Sequence, residues 1–256
     1  MSFTEAHRVL LTYLRMVRSI PASLLAEKFK LIAEEFEIDT NDDPAATVKE
    51  YISDINLGIQ KYDFKVESAR DQVSGDIVYV FVNTKQDEVI QGCTPYSPSE
   101  LDAIKQMIDS IITSDFEFCV PIGNAKQQVA SVAKLRLGDA DYFLARLVND
   151  GWIEITSNNR VILSTATLAE LKTYLVDRYG TFSPEDPSGK LLSCHVCGEL
   201  VTYGVKSDKS NCHISFHNKC FTVYSRQAND LKCPNFNNCS TTNLEDGNLI
   251  QVGVEP

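Results

Sequence analysis

Six of the eight cysteines (Cys194, Cys197, Cys212, Cys220, Cys233 and Cys239) and three of the four histidines (His195, His213 and His217) fall in one 46-residue stretch near the end of this 256-residue chain. Disulfide frameworks have no use for histidine, whereas zinc sites mix thiolate and imidazole donors freely. The clustering therefore predicts metal binding in a reducing compartment. The two outlying thiols, Cys93 and Cys119, read as ordinary core or loop residues.

Spacing sharpens the expectation. Zinc takes four donors at the corners of a tetrahedron, and a Cys-x2-Cys knuckle supplies two by bending the backbone until both sulfurs converge. Cys194-His195-Val196-Cys197 is such a knuckle; Cys212-x4-His217-x2-Cys220, a short helical stretch with Phe221 and Tyr224, and Cys233-Pro234-x4-Cys239 follow it. That is a RING-type order. In such cross-braced modules the first and third ligand pairs share one zinc, here Cys194, Cys197, His217 and Cys220. The second and fourth share another, here Cys212, Cys233 and Cys239 with an eighth ligand that is Asp208 or His213. Asp208 is better placed, because adjacent side chains such as Cys212 and His213 point apart; His213 is the softer donor. The alternative role for His195 and His213 is that of polar neighbours of a knuckle.

Upstream, hydrophobic periodicity predicts helices. Residues 4–18 place Val9, Leu10, Tyr13, Leu14 and Val17 at helical spacing before Ser19-Ile20-Pro21 breaks the pattern. A second helix with Leu24, Leu25, Phe29, Ile32 and Phe36, and a third opened by Pro44 with Val48, Ile52, Ile55 and Ile59, lead into strands at Phe64–Val66 and Ile77–Val82 around a Ser74-Gly75 turn. The order then repeats. A helix capped by Ser97-Pro98-Ser99-Glu100, helices near 124–134 and 140–149, and a hairpin of 152–156 and 160–163 turning at Asn158-Asn159 are followed by a closing helix over 167–179. The expected fold class is α+β: two tandem winged-helix domains (1–90 and 95–180), a Pro- and Gly-containing linker (181–190), a RING-like zinc domain (191–245) and a tail (246–256).

Charge constrains partners. The formal net charge is −11, and residues 1–190 carry 19 Lys+Arg against 29 Asp+Glu. Such a balance argues against autonomous, phosphate-driven nucleic-acid binding. The presumptive recognition helix of the second unit, 138–150, has Asp139, Asp141 and Asp150 against the single Arg146. Basic residues Arg8, Arg15, Arg18, Lys28 and Lys30 can add to a composite DNA surface, with a solvated helical face as the simpler reading. No P-loop, nucleophile elbow or dinucleotide fingerprint is present. With no apolar run of membrane-spanning length and no signal peptide, the chain reads as soluble and intracellular.

In this setting the chain resembles the non-SMC element one family, the RING-type subunits of the Smc five/six chromosome-maintenance complex. The resemblance rests on His7-Arg8-Val9-Leu10-Leu11, the Asn56–Gln60 helix end feeding Asp76–Asn83, Leu147-Val148-Asn149-Asp150-Gly151-Trp152-Ile153, and the ordered metal-ligand motifs. One departure is that Lys209 stands where family members commonly have a cysteine three residues before the fourth ligand. The resemblance implies a nuclear subunit acting in DNA repair and recombination. It implies pairing with a melanoma-antigen-type winged-helix protein and a kleisin, and through these with the SMC heads. It also implies a ubiquitin ligase module, with Val196 in the knuckle and Pro234 beside the seventh ligand contacting a ubiquitin-conjugating enzyme; both residues also suit simple packing. Ser240, where RING ligases often carry a cation, favours the competing reading of a non-catalytic scaffold.

Overall fold

The computed structural model describes residues 3–84, 95–209, 212–227, 231–235, 244 and 248–255. The chain divides into two compact units, one holding Met1–Asp71 and Asp76–Glu88, the other Gln72–Gly75 and Val89–Pro256. Among the described residues, no helix is long and apolar enough to cross a membrane.

The first unit runs α1 (Glu5–Val17), β1 (Ser19–Pro21), α2 (Ala22–Glu35), α3 (Pro44–Ile59), β2 (Phe64–Arg70) and β3 (Ile77–Asn83), with its antiparallel sheet ordered β1-β3-β2. This order fits a winged helix. The Pro44 helix forms as the sequence predicts: Asp43 caps it by accepting from the Ala46 N–H at 3.0 Å, and Val48, Ile52, Ile55 and Ile59 are all buried. The α1 stripe differs from the expected one. Leu10 and Leu14 are buried with Ala6 and His7, while Val9 and Val17 are exposed, because the helix turns its 6/7/10/14 face to the core. In α2, likewise, Leu25, Phe29 and Ala33 are buried, but Leu24 and, just past the helix end, Phe36 are exposed. Ser19–Pro21, expected as a mere break, pairs with Val78–Val80 as a third strand. Asn56 on α3 replaces a strand partner: its Nδ2 donates to the Val66 carbonyl at 2.9 Å and its Oδ1 accepts from the Val66 N–H at 2.7 Å. The amide thereby fastens the helix end to β2.

The second unit opens with α4 (Pro98–Ile112). Its capping box is the one read from sequence, the Ser97 hydroxyl accepting from the Glu100 N–H and the Glu100 carboxylate from the Ser97 N–H. Then come β4 (Val120–Pro121), α5 (Ile122–Val132), α6 (Leu137–Asn149), β5 (Ile153–Ile155), β6 (Arg160–Leu163) and α7 (Thr165–Tyr179), with the sheet ordered β4-β6-β5. Cys119 is a buried thiol of this core; Cys93 lies outside the described residues.

Two sequence-based boundaries change. Thr181–Lys190 is not an open linker: the Phe182 N–H donates to the Leu191 carbonyl, and Gly189 packs so closely on Thr181 and Phe182 that a Cβ would lie 2.4 Å from backbone. Within the expected 246–256 tail, the described residues are not all irregular. They include β9 (Leu249–Val252), which joins β7 (Gly204–Ser207) and β8 (Ser215–Phe216) in a sheet ordered β8-β7-β9. One continuous apolar cluster runs from Ile104, Ile108 and Leu144 through Leu171, Leu175 and Leu191 to Cys194, Cys212 and Phe216. The cysteine-rich module therefore shares its core with the helices before it.

Candidate metal centre

The knuckle is built by backbone hydrogen bonds. The Cys194 N–H donates to the Glu199 carbonyl and the Gly198 N–H to the Cys194 carbonyl, each at 2.8 Å. Gly198 sits at φ +73°, a conformation that glycine adopts without steric cost. The knuckle is tied to β8 by His195 N–H donating to Ser215 at 2.9 Å. His217 follows β8 directly, and α8 (Asn218–Gln227) begins beside it, so the x2 spacing brings Cys220 back to the same side.

These elements bring the donor atoms of Cys194, Cys197, His217 and Cys220 within 4.8 Å of one another. His217 Nδ1 lies 3.4 Å from Cys197 Sγ and 3.9 Å from Cys220 Sγ, while its Nε2 donates to the Leu200 carbonyl at 3.0 Å. A carbonyl accepts only, so that bond keeps a proton on Nε2 and turns Nδ1, the atom a metal would take, toward the sulfurs. Burial pushes the Cys194 thiol up, but hydrogen bonds from His217 and from the Cys197, His217 and Val196 backbones overcome it and bring it down to about 6. Burial and the Cys194 and Cys197 charges push Cys220 up to about 12. One thiolate is thus favoured and each further one opposed unless a cation compensates. Three thiols and one oriented imidazole nitrogen are the donor chemistry of a structural zinc site, and these four residues fit that ion.

The second predicted site is partly in view. Cys212 and Cys233, both buried, have their sulfurs 3.6 Å apart; Cys239 lies outside the described residues. Among the described residues no carboxylate or histidine joins this pair in a three-donor cluster. Asp208 Oδ2 accepts from Lys209 Nζ at 2.7 Å and its backbone N–H donates to the Asn248 carbonyl beside β9, while its Oδ1 is buried with no hydrogen-bond partner. His213 approaches the Asn235 side chain, 3.5 Å from its Nδ2, in the segment that follows Cys233. His195 is not part of the four-donor cluster and packs edge-on against Phe216 and Tyr224, at 5.8 and 6.1 Å between ring centroids. Burial and the neighbouring His213 lower its pKa, favouring the neutral ring.

Of the two surface residues singled out in the sequence, Val196 is 46% exposed at the knuckle and Pro234 is half-buried. Sequence reading passed over Val223, an apolar α8 residue that is also 46% exposed while its neighbours Phe221 and Tyr224 turn inward. The signal was there: Val223 falls between two inward-facing aromatics, on the helix face they leave open. Tyr224 anchors α8 by donating its hydroxyl to the Lys232 carbonyl at 2.7 Å, next to Cys233.

The presumptive recognition helix, α6, is chemically self-contained. Arg146 donates to the Pro95 carbonyl at 2.6 Å and to Glu100 at 3.3 Å, and its guanidinium lies 4.1 Å from the Tyr96 ring centroid. Asp150 accepts from the Tyr96 hydroxyl, and Asp141 pairs with Lys126. The helix's one cation is committed internally, so it is poorly suited to grip phosphates.

Residues 7–171 match the family described as the Nse1 non-SMC component of the SMC5-6 complex, and residues 194–236 match a RING-like domain family. The chain is similar to non-structural maintenance of chromosomes element 1 of Schizosaccharomyces pombe, 26% identical over 214 residues that cover 82% of this chain and 83% of that protein. It is similar also to the Homo sapiens homolog, 23% identical over 192 residues, 74% of this chain and 68% of that one. Among solved structures it resembles a chain of the Nse1-Nse3-Nse4 complex, with a TM-score of 0.76 and 19% identity over 96% of this chain and 99% of that chain. That likeness is one of fold.

Proposed function

The chain belongs to the Nse1 family of SMC5-6 components, and from that premise we propose that it is a nuclear RING-type subunit of such a complex, serving DNA repair and recombination. It pairs with a melanoma-antigen-type winged-helix subunit and, with it, engages a kleisin and through these the SMC heads, in the roles of Nse3 and Nse4. What supports this reading is a fold likeness spanning 96% of the chain to one chain of a three-protein complex.

The zinc module carries the enzymatic part of the proposal. It holds two zinc ions, one on Cys194, Cys197, His217 and Cys220 and one on Cys212, Cys233, Cys239 and a further donor. It docks a ubiquitin-conjugating enzyme through Val196 and Pro234. Such a ligase forms no covalent intermediate; it restrains the ubiquitin thioester so that an acceptor amine attacks the carbonyl and the conjugating enzyme's cysteine leaves as thiolate. The observation behind it is an apolar side chain, Val196, held exposed in solvent by a rigid knuckle. Ser240, lacking the cation that leans on ubiquitin, supports the alternative of a zinc-folded scaffold.

Co-expression with the melanoma-antigen-type subunit tests the assembly. A stable one-to-one complex with about two zinc ions per chain by elemental analysis is expected. Failure to co-purify would overturn the assembly reading, and one zinc per chain the two-ion reading.

A further inference from the structure

In the second unit, a cavity of about 380 Å³ lies where the end of α4, the 181–190 connection and the β7–β9 sheet meet. Its volume falls within the range of small-ligand pockets. Phe116 and Phe182, with ring centroids 6.0 Å apart, form one apolar wall, and Ile112 and Ile250 contribute to the rest. The connection that closes it is prebuilt. The Asp186 carbonyl accepts from both the Ser183 and Gly189 N–H groups, and the Ser188 hydroxyl donates to the Asp186 carboxylate at 2.8 Å.

Two ammonium groups line this pocket. Lys206 is half-buried, yet its ammonium rests on the Phe116 ring, 4.9 Å from the centroid, and 3.5 Å from the Ser207 carbonyl, with no carboxylate in ion-pair contact among the described residues. Lys190, the second ammonium on the wall, is exposed and also without a described ion pair. Asp115 is the one carboxylate in the lining, against two ammonium groups; Asp208 also acts on Lys206 from outside the lining, with its own carboxylate paired to Lys209. A partly desolvated ammonium on an aromatic face gains most from an incoming carboxylate, and the surrounding rings reward an apolar group beside it.

We propose that this pocket, formed jointly by the second helical unit and the zinc module, binds a partner peptide that presents a glutamate or aspartate next to an aromatic or branched aliphatic side chain. The carboxylate meets Lys206 and Lys190, and the apolar side chain inserts between Phe116, Phe182 and Ile250. Occupancy would join the two halves of the unit on one ligand. Val196 is not among the lining residues, and the proposal does not depend on the ubiquitin-transfer reading.

The test uses the full chain, carrying isotope-labelled isoleucine methyl groups, titrated with three probes: acetyl-Phe-Glu-amide, acetyl-Phe-Gln-amide and acetyl-Phe-Lys-amide. The Ile112 and Ile250 methyl resonances should move saturably with the glutamate probe in roughly the millimolar range, while Ile55 in the first unit stays still. The glutamine probe should bind about fivefold more weakly, as expected for loss of a charge-assisted hydrogen bond, and the lysine probe more weakly again. Lys206→Met should erase the preference for glutamate over glutamine, and Lys190→Gln, on an exposed side chain, should reduce it. Equal affinity for the three probes, no saturable movement of Ile112 and Ile250, or an unaltered preference in both variants would overturn the proposal.

Discussion

The Gly253 N–H donates to the carbonyl of Phe116 across 2.9 Å, binding the turn after the last strand to the segment that follows α4. The bond joins residues 137 positions apart and makes the end of the chain part of the second unit's frame. Gly253 itself sits at φ +67°, where a Cβ would meet the Thr202 carbonyl oxygen at 1.8 Å.

Gly253→Ala therefore combines a strained backbone with a clash against a main-chain atom. It should destabilise the second unit by more than ~1 kcal/mol and loosen β9. Gly138→Ala is the matched control, since a Cβ there meets nothing within 4 Å and the residue lies in α6. The control should be neutral or stabilising by a few tenths to about 1 kcal/mol. Thermal unfolding of both variants distinguishes them; equal losses would show that the Gly253 contact has no special weight.

Zinc removal should reach beyond the metal ligands. Cys194 and Cys212 lie in the same apolar cluster as Leu171, Leu175 and Leu191, so a module that loses its metal takes part of the helical core with it. Hydrogen exchange after chelation should show lost protection in α7 as well as in β7, β8 and α8. The first unit, whose core of Leu10, Phe29, Ile55 and Val66 is its own, should keep its protection. Undiminished protection throughout α7 would contradict the shared core.

Duplex DNA should bind the isolated chain weakly at physiological salt. Residues 1–190 have ten more acidic than basic side chains, and Arg146 is held by Pro95, Glu100 and the Tyr96 ring. Few phosphates can be neutralised and few counterions released. Fluorescence anisotropy across a salt series should show steep, sequence-independent binding only for the complex with the winged-helix partner. Tight binding by the chain alone, with the same salt slope, would contradict this.

What could be read from sequence follows physical locality. The capping box at Ser97–Glu100 and the Pro44 helix are local patterns and appear as expected. The first metal cluster was also legible, because Cys-x2-Cys and His-x2-Cys each fix two donors by short-range geometry. β1 and β4, of three and two residues, carry no periodic signal and exist only through their pairing with β3 and β6. β9 was hidden for the same reason: Leu249–Val252 is a strand because Gly204–Ser207 offers it an edge. The role of Arg146 was unreadable, since its partners Pro95 and Glu100 lie 51 and 46 residues away. The eighth ligand is not decided by spacing: Asp208 gives one carboxylate oxygen to the adjacent Lys209 ammonium and keeps the other buried without a partner, and Cys239 lies outside the described residues.

The proposed role of the exposed knuckle residue Val196 in ubiquitin transfer can be measured directly. The direct measurement is the rate at which the complex with the melanoma-antigen-type subunit discharges ubiquitin from a charged conjugating enzyme, compared between the native chain and Val196→Asp. Side-by-side purification confirms that both assemble and retain zinc. Stimulated discharge by the native complex and a loss of roughly tenfold, ~1.4 kcal/mol, in the variant are expected. An unchanged rate in a fully assembled Val196→Asp complex, or no stimulation by the native one, would contradict it.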